Sequence, residues 1–494
     1  MDAFSVKEGE MRTQEHIGDP ADEAAARDVI ARLDRLGSWP LPYAYLIIIG
    51  IGFLFTFFDI FDINVSFIQT CVALRPGCTP ETALSSLSLP VFLNVVGYVV
   101  GTLVLSPISD RIGRRNMLLV TMLITAVGSL YTAFTPDYTN FIIARIVTGI
   151  GIGADLAVVN TYIGEIAPSR SRARFTSIIF INSALGAFFA IWLGLLLTQP
   201  SSPWPTGLPF ALASKSFSDG WRYLYGIGAL LALIGIFIRF ELPESPRWLV
   251  GQGKIEKAKA IVQKMESVTE RRGETLAPVM PSVAIESKQI AKNPYSEIFT
   301  NPLYVRRFVI MVFTWLIGYV TVYSFAAGFT SVLTSIHYPP PEAGVIVAVG
   351  TIGFIIGCLI TSTWGDSIER KYWLPISAVI TLIGGILIAT AGTDLTMSFI
   401  GSGVVFLGFN LWVSPTYALS AECFPSRART TGFGLVDGFG HIGGGIGILV
   451  IAPLVPKMSP TGALLLICAF LIVAAGLVQL SPATKGKDLE EVSP

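Results

Sequence analysis

A length of 494 residues suggests about three soluble domains, but 52% hydrophobic and only 14% charged residues overrule that reading, because soluble proteins average about 25% charged. The 34 basic residues balance 34 acidic ones, which excludes a nucleic-acid binder, since that function needs a basic surplus. A soluble enzyme and a disordered scaffold are excluded by the same composition, and repeated apolar stretches of about 18 residues or more mark membrane spans.

The first forty residues are polar. Over 21–36, Val29, Ile30, Leu33 and Leu36 fall near one helical face, which predicts a short surface helix ahead of the membrane. No signal peptide is read, because acidic residues fill this region and the first apolar stretch is too long. Twelve apolar segments follow, at 43–69, 86–109, 116–135, 140–163, 175–198, 222–240, 307–333, 343–365, 374–393, 397–420, 430–453 and 460–479. They are helices, because lipid leaves no partner for an unpaired backbone group; a barrel would alternate over segments of about ten residues. Loops after spans 2, 4, 8 and 10 hold Arg111, Arg114, Arg115, Arg170, Arg172, Arg174, Arg370, Lys371, Arg427 and Arg429, whereas the opposite loops hold only Arg75, Lys215, Arg222 and Lys457. The positive-inside rule therefore puts both termini in the cytoplasm of a cell-membrane protein.

Between spans 6 and 7 lies a polar connector, read as solvated, with an amphipathic helix over 253–267. The expected organisation is a tail (1–42), a six-helix bundle (43–240), a linker (241–306), a second six-helix bundle (307–480) and a tail (481–494).

An internal repeat relates the bundles. Gly97-x3-Gly101-x4-Ser106-x3-Asp110-x-Ile112-x-Arg114-Arg115 matches Gly353-x3-Gly357-x4-Ser362-x3-Asp366-x-Ile368-x-Arg370-Lys371. Likewise Glu165-x-x-Pro168-Ser169-Arg170-x-Arg172 matches Glu422-x-x-Pro425-Ser426-Arg427-x-Arg429. Chance similarity between apolar helices would match Leu and Val, not acids, prolines and arginines in register. The fold class is thus an all-α polytopic membrane protein, twelve transmembrane helices in two homologous six-helix bundles repeated in parallel.

The stretches SDRIGRR, GDSIERK and ELPESPRWL, with RIVTGIGIG in span 4, resemble the signatures of the major facilitator superfamily, in the branch of sugar porters, organic-ion transporters and proton-coupled metabolite symporters. The resemblance covers about 43–480, with Ser106, Ser362 and Glu369 standing where the signature has Gly. It implies alternating access about a central cavity lined by spans 1, 4, 7 and 10. It also implies that Asp110, Arg111, Arg114, Arg115, Glu165, Arg172, Asp366, Arg370, Glu422 and Arg429 form an inner gate whose ion pairs break and reform.

Ionisable residues inside spans are costly and so point to function. Asp59 and Asp62, three apart, share a face of span 1. At a rise of 1.5 Å per residue, Asp62 and Arg145 of span 4 sit at the same depth, about 28 and 27 Å from the cytoplasmic end, with Asp59 and Asp155 lower. A carboxyl group protonated in one state and paired with Arg145 in another couples transport to protons; the alternative is a static buried pair. The resemblance supports the first, since proton symporters of sugars and aromatic acids carry an acid and an Arg at these positions, and the Asp-x-x-Asp doublet with Asp155 resembles phosphate porters. Asp437 and His441, four apart in glycine-rich span 11, offer a second proton relay or a bland hydrogen-bonded pair. Asn64, Asn160, Trp315, Tyr319, Tyr323, Asn410, Trp412 and Tyr417 are the candidate substrate-lining residues, Trp315, Tyr319 and Tyr323 forming one aromatic stripe. Cys71 and Cys78 in the first external loop are read as free thiols, with a disulfide as the alternative.

No P-loop lies in the linker, so ATP drive is not expected; nor is a catalytic motif, metal cluster or cofactor. The expected function is a monomeric secondary transporter, a proton symporter of a small organic or inorganic anion such as a carboxylate, aromatic acid or phosphate. Sugar uptake, organic-cation or drug efflux, and a non-transporting sensor are the alternatives.

Overall fold

The computed structural model describes residues 20–167, 172–279, 294–336, 338–365, 367–425, 428–485 and 492–493, without the side chains of 20–23, 106, 110, 172–174, 294 and 430. In chain order its helices are α1 (Pro20–Asp34), α2 (Tyr43–Leu74), α3 (Ala83–Ile112), α4 (Arg114–Ala133), α5 (Tyr138–Ile166), α6 (Arg172–Thr198), α7 (Gly220–Arg239), α8 (Pro246–Gly251), α9 (Ile255–Arg271), α10 (Pro294–Thr300), α11 (Pro302–Ala326), α12 (Phe329–Ser335), α13 (Pro340–Trp364), α14 (Trp373–Ala391), α15 (Leu395–Leu411), α16 (Val413–Glu422), α17 (Arg429–Ile451) and α18 (Pro460–Val478). Twelve stretches are long and apolar enough to cross a bilayer: α2 to α7, α11, α13, α14, α15 with α16, α17 and α18.

Two predicted spans turn out to be broken. The span expected over 307–333 ends as α11 at Ala326, and α12 restarts at Phe329. The tenth span breaks at Trp412, where Pro415 in the first turn of α16 has no N–H to give the ladder. A third difference corrects the reading of Cys71 and Cys78 as free thiols. Helix α2 continues past residue 69 to Leu74, and Gly77, at φ +79°, reverses the chain behind it. The two cysteines then lie 5.9 Å apart at Cα and are joined by a disulfide.

Within the first six spans α2 packs on α6, α3 on α5, and α4 on both α5 and α7. The repeated Gly-x3-Gly motif explains one of these contacts. A Cβ on Gly97 or Gly101 would collide with the carbonyl oxygens of Ile146 and Ile150, so only glycine lets α3 lie this close to α5. The halves meet along α3 with α17 and α6 with α13, and polar contacts cross this seam at several levels. Ser177 and Ser414 share a hydrogen bond of 2.9 Å, Cys358 Sγ lies 3.3 Å from the Phe180 carbonyl, and Tyr98 donates to Asp437 at 2.8 Å.

The connector is not simply solvated. Helix α9 buries Ala258, Val262 and Met265 and packs on α1 and α8; on α1, Val29, Ile30 and Leu33 are buried, as is Leu36 just beyond it. A clasp closes this contact: Arg32 Nε donates to Glu266 at 3.0 Å and Arg35 Nη2 at 2.7 Å. Burial alone would push the Glu266 carboxyl group up, but the two guanidinium partners outweigh it and hold Glu266 below the usual carboxylate range. A lowered native value means that the clasp is at full strength above the unfolded glutamate pKa, about 4.3, and is lost as pH falls through the native value. The hydrogen-exchange protection of α1 is expected to be flat from neutral pH down to that range and to fall below it. In Glu266→Gln it is expected to be low throughout, and wild-type protection in that variant would refute the clasp.

Candidate functional site

Two pairs among the positions expected at the inner gate form in the same way in the two halves. Arg114 Nη2 lies 2.9 Å from Glu165 Oε1, and Arg370 Nη1 lies 2.7 Å from Glu422 Oε2. Arg111 is exposed at the end of α3, Arg115 stacks over the Phe240 ring at 6.0 Å, and Arg429 opens α17. The side chains of Asp110 and Arg172, and the whole of Asp366, lie outside the described residues.

The departure at Glu369 now has a reason. In the first half the turn residue is Gly113, at φ +100°, with the carboxylate of Glu244 packed against it. Glu244 caps α4 by accepting from the Arg114 and Arg115 amides at 2.9 and 3.2 Å. In the second half the acid sits in the turn itself. Glu369 accepts from the Arg370 amide at 3.1 Å and from the Thr484 amide, in the segment after the last span, at 3.1 Å. Both turns contain one capping carboxylate; only its origin in the chain is exchanged. Glu244 carried no signal in the sequence beyond its place in ELPESPRWL.

Deeper in the first half, two buried Asp–Arg pairs lie along α2 and α5, and they differ in kind. Asp155 is saturated: Arg239 Nη1 and Nη2 each reach one of its oxygens, the second at 3.1 Å. Thr121 and Thr56 donate to it as well, at 2.8 and 3.1 Å, and Arg239 also reaches the Leu118 carbonyl at 3.2 Å. Arg239 was missed at the sequence level because a cation at a span end reads as a topology anchor.

The upper pair is loose. Arg145 Nη1 lies 3.5 Å from Asp62 Oδ1, and Arg145 Nη2 donates to the Asp59 carbonyl at 3.0 Å. Arg145 is only 2% exposed, and Asp59 and Asp62 are fully buried. Even so, Arg145 Nε, Asp62 Oδ2 and Asp59 Oδ2 have no hydrogen-bond partner among the described residues. The Asp59 and Asp62 carboxyl groups adjoin each other, Ser129 donates to Asp59 at 2.8 Å, and Arg145 lies 5.7 Å from the centre of the Tyr225 ring. This guanidinium lines a cavity between the halves together with Asn94, Tyr98, Ile60, Ile152 and, from the other half, Tyr323. Neither Asn94 nor Tyr98 was singled out in the sequence, because span 2 lies outside the four expected to line the cavity.

Across the cavity stands an aromatic and acidic cluster. Asp437 accepts from Tyr98 and from Tyr417, each at 2.8 Å, and Tyr319 and Tyr417 share a hydrogen bond of 2.9 Å. The His441 ring stacks on Tyr98 at 3.9 Å, with Nδ1 2.8 Å from the Asp437 carbonyl. The expected stripe thus divides. Tyr323 lines the cavity, Tyr319 contacts His441, and Trp315 packs on Trp412 at 4.4 Å, both fully buried.

The asparagines are engaged elsewhere. Asn64 Nδ2 donates to the Phe325 and Ala326 carbonyls at 2.8 and 2.6 Å, and its Oδ1 accepts from the Thr330 amide and hydroxyl. It therefore latches α2 onto the carbonyls freed where α11 ends. Asn410 donates to Cys358 Sγ at 3.1 Å, and Asn160 to the Leu156 carbonyl of its own helix at 2.9 Å.

The family described as "Sugar (and other) transporter" matches residues 43–341, and "Major Facilitator Superfamily" matches 325–492. The chain belongs to the sugar (and other) transporter family of the major facilitator superfamily. It resembles the niacin transporter NiaP of Acinetobacter baylyi, with 24% identity over 94% of this chain and 99% of that protein. It also resembles the arabinose-proton symporter of Bacillus subtilis, with 27% identity over 81% and 84%. A partially occluded inward-open structure of the xylose transporter XylE from E. coli shares the fold, with a TM-score of 0.66, 20% identity and coverage of 90% and 99%. As a member of this family the protein is a multi-pass secondary transporter of a small molecule, and the family and fold are those of transporters rather than enzymes.

Proposed function

We propose that this transporter is a proton symporter of a small anion, a carboxylate or a comparable organic or inorganic anion, in the cell membrane with both termini cytoplasmic. The observation that carries the reading is Arg145, a buried cation that lines the cavity between the halves while only loosely paired with Asp62. An acid that holds a proton in one state and faces a guanidinium in the other ties cavity access to protonation. Asp59 and the Asp437–His441 pair are assigned to the same proton machinery, and Asp155, saturated by Arg239, to structure. The cavity wall is assigned to Tyr323 with Asn94 and Tyr98, backed by Tyr319 and Tyr417.

Purified protein in liposomes tests this. An imposed inward proton gradient is expected to drive accumulation of benzoate or nicotinate, and a protonophore to collapse it; uptake indifferent to the gradient would end the symport reading. D-xylose and phosphate belong in the same assay, because a relative named as an arabinose-proton symporter favours sugar uptake as the second reading.

The paired Arg114–Glu165 and Arg370–Glu422 bridges support an inner gate that opens when they part. Cys358, buried between α6 and α13, is a built-in reporter. Glu165→Gln and Glu422→Gln are each expected to speed maleimide labelling at Cys358 severalfold, read by mass spectrometry. Wild-type rates in both variants would remove the gating role.

A further inference from the structure

We infer that Arg145 is the group that holds the transported anion, and that Asp62 is its internal substitute: one guanidinium serves the two carboxylates in turn. The inference rests on the anion reading above and adds how the anion and the proton are tied together.

The argument comes from comparing the two buried arginines. A guanidinium has five N–H donors in a planar fork, which suits two parallel bonds to one carboxylate. Arg239 uses its fork in that way on Asp155. Both arginines leave Nε without a partner among the described residues, so the difference lies in the Nη groups: Arg145, equally buried, gives one long contact to Asp62 and one to a backbone carbonyl. Asp62 Oδ2 receives no N–H or hydroxyl donor, and the Asp62 carboxyl group instead meets that of Asp59. Buried polar groups are normally satisfied, and a half-used cation at a cavity wall has donors to give to a second acceptor. Its other neighbours there are Asn94, a hydrogen-bonding amide, and the rings of Tyr98 and Tyr323. Asn94 Nδ2 is already given to the Arg145 backbone carbonyl at 2.7 Å and the Tyr98 hydroxyl to Asp437 at 2.8 Å, which leaves the Arg145 guanidinium as the charged donor on this wall.

Charge arithmetic supplies the coupling. When a proton binds Asp62 and an anion takes its place on Arg145, the net charge within the site is unchanged, so loading the site buries no additional uncompensated charge. An anion arriving without the proton would leave two carboxylates competing for one cation beside Asp59. The titratable and charged groups facing this pair are Asp59 on α2, Tyr225 on α7, Tyr98 on α3 and, from the other half, Tyr323, with Asp437 and His441 behind Tyr98. None of these brings a second cation to Arg145's side unless His441 is protonated.

Calorimetry on the purified full-length protein tests the exchange, with benzoate and nicotinate as carboxylates, benzamide and nicotinamide as neutral isosteres and D-xylose as the sugar. Wild type is expected to take up one proton per carboxylate bound, seen as a heat that varies with the buffer's ionisation enthalpy. Its affinity is expected to rise about tenfold for each unit that pH is lowered, with no binding of the amides. In Asp62→Asn, carboxylate affinity at pH 8 is expected to rise at least about tenfold, and both pH dependence and proton uptake to vanish. Arg145→Gln is expected to lose carboxylate binding. Since that variant leaves Asp62 unpaired, the neutralised double variant Asp62→Asn/Arg145→Gln serves as the folded control and is expected to lose binding too. Amides that bind as well as the acids, a pH slope retained in Asp62→Asn, or affinity retained in the double variant would each overturn the inference. Carboxylate binding without proton uptake would overturn it while leaving the anion reading standing. Binding of D-xylose with no carboxylate binding would instead sink the anion reading itself.

Discussion

Asp62→Asn is expected to abolish proton-driven accumulation completely while leaving exchange of substrate across the membrane intact. The asparagine keeps the size of the side chain and loses both the titratable proton and the negative charge. Arg145 is then free of its ion pair at every pH, so the step in which a proton must first break that pair disappears. The halves still meet at the same surfaces, since the contacts across the seam, Asn64 with Thr330, Tyr98 with Asp437 and Ser177 with Ser414, do not involve Asp62. In the proposed symport, exchange needs only those surfaces to separate and close around a loaded cavity, whereas net uphill transport needs the proton. Counterflow and gradient-driven uptake in the same liposomes separate the two, and uphill uptake at the wild-type level would show that Asp62 is not the coupling acid.

The second large effect is on stability. Asp155→Asn is expected to destabilise the first bundle by about 3–5 kcal/mol, because it strands Arg239 as a buried charge without its carboxylate. Both side chains are 1% exposed, so water cannot take over. The double variant Asp155→Asn/Arg239→Gln removes both charges and is expected to recover most of the loss. Thermal unfolding in detergent measures the three proteins against wild type. A single variant as stable as wild type would mean that the pair is not the structural lock assigned here. A smaller effect for Asp62→Asn in the same assay is expected, because its ion pair is long and a second acid, Asp59, stays beside Arg145.

Much of the architecture was legible in the chain. Long apolar runs can only be helices in lipid, so the number of spans followed from composition, and the acids, prolines and arginines repeated between halves marked the duplication. The level of Asp62 with Arg145 followed from the fixed rise of a helix. The helix breaks after Ala326 and at Trp412 were not legible, since an apolar run looks the same whether it is continuous or interrupted. Nor were the partners Arg239 and Glu244: each lies at a span end, where charge has an ordinary explanation, and only packing brings one beneath α2 and the other over Gly113.

The sequence by itself determined the twelve-helix duplicated scaffold and which buried charges needed explaining, because hydrophobic length and repeat register are one-dimensional properties. Only the tertiary structure decided which acid meets which arginine, and how tightly. Asp62 and Asp155 look alike in the chain, both being acids within spans. They become a loose pair at a cavity and a saturated pair in a bundle because hydrogen-bond geometry depends on neighbours from α4, α5 and α7 that no spacing along α2 reveals.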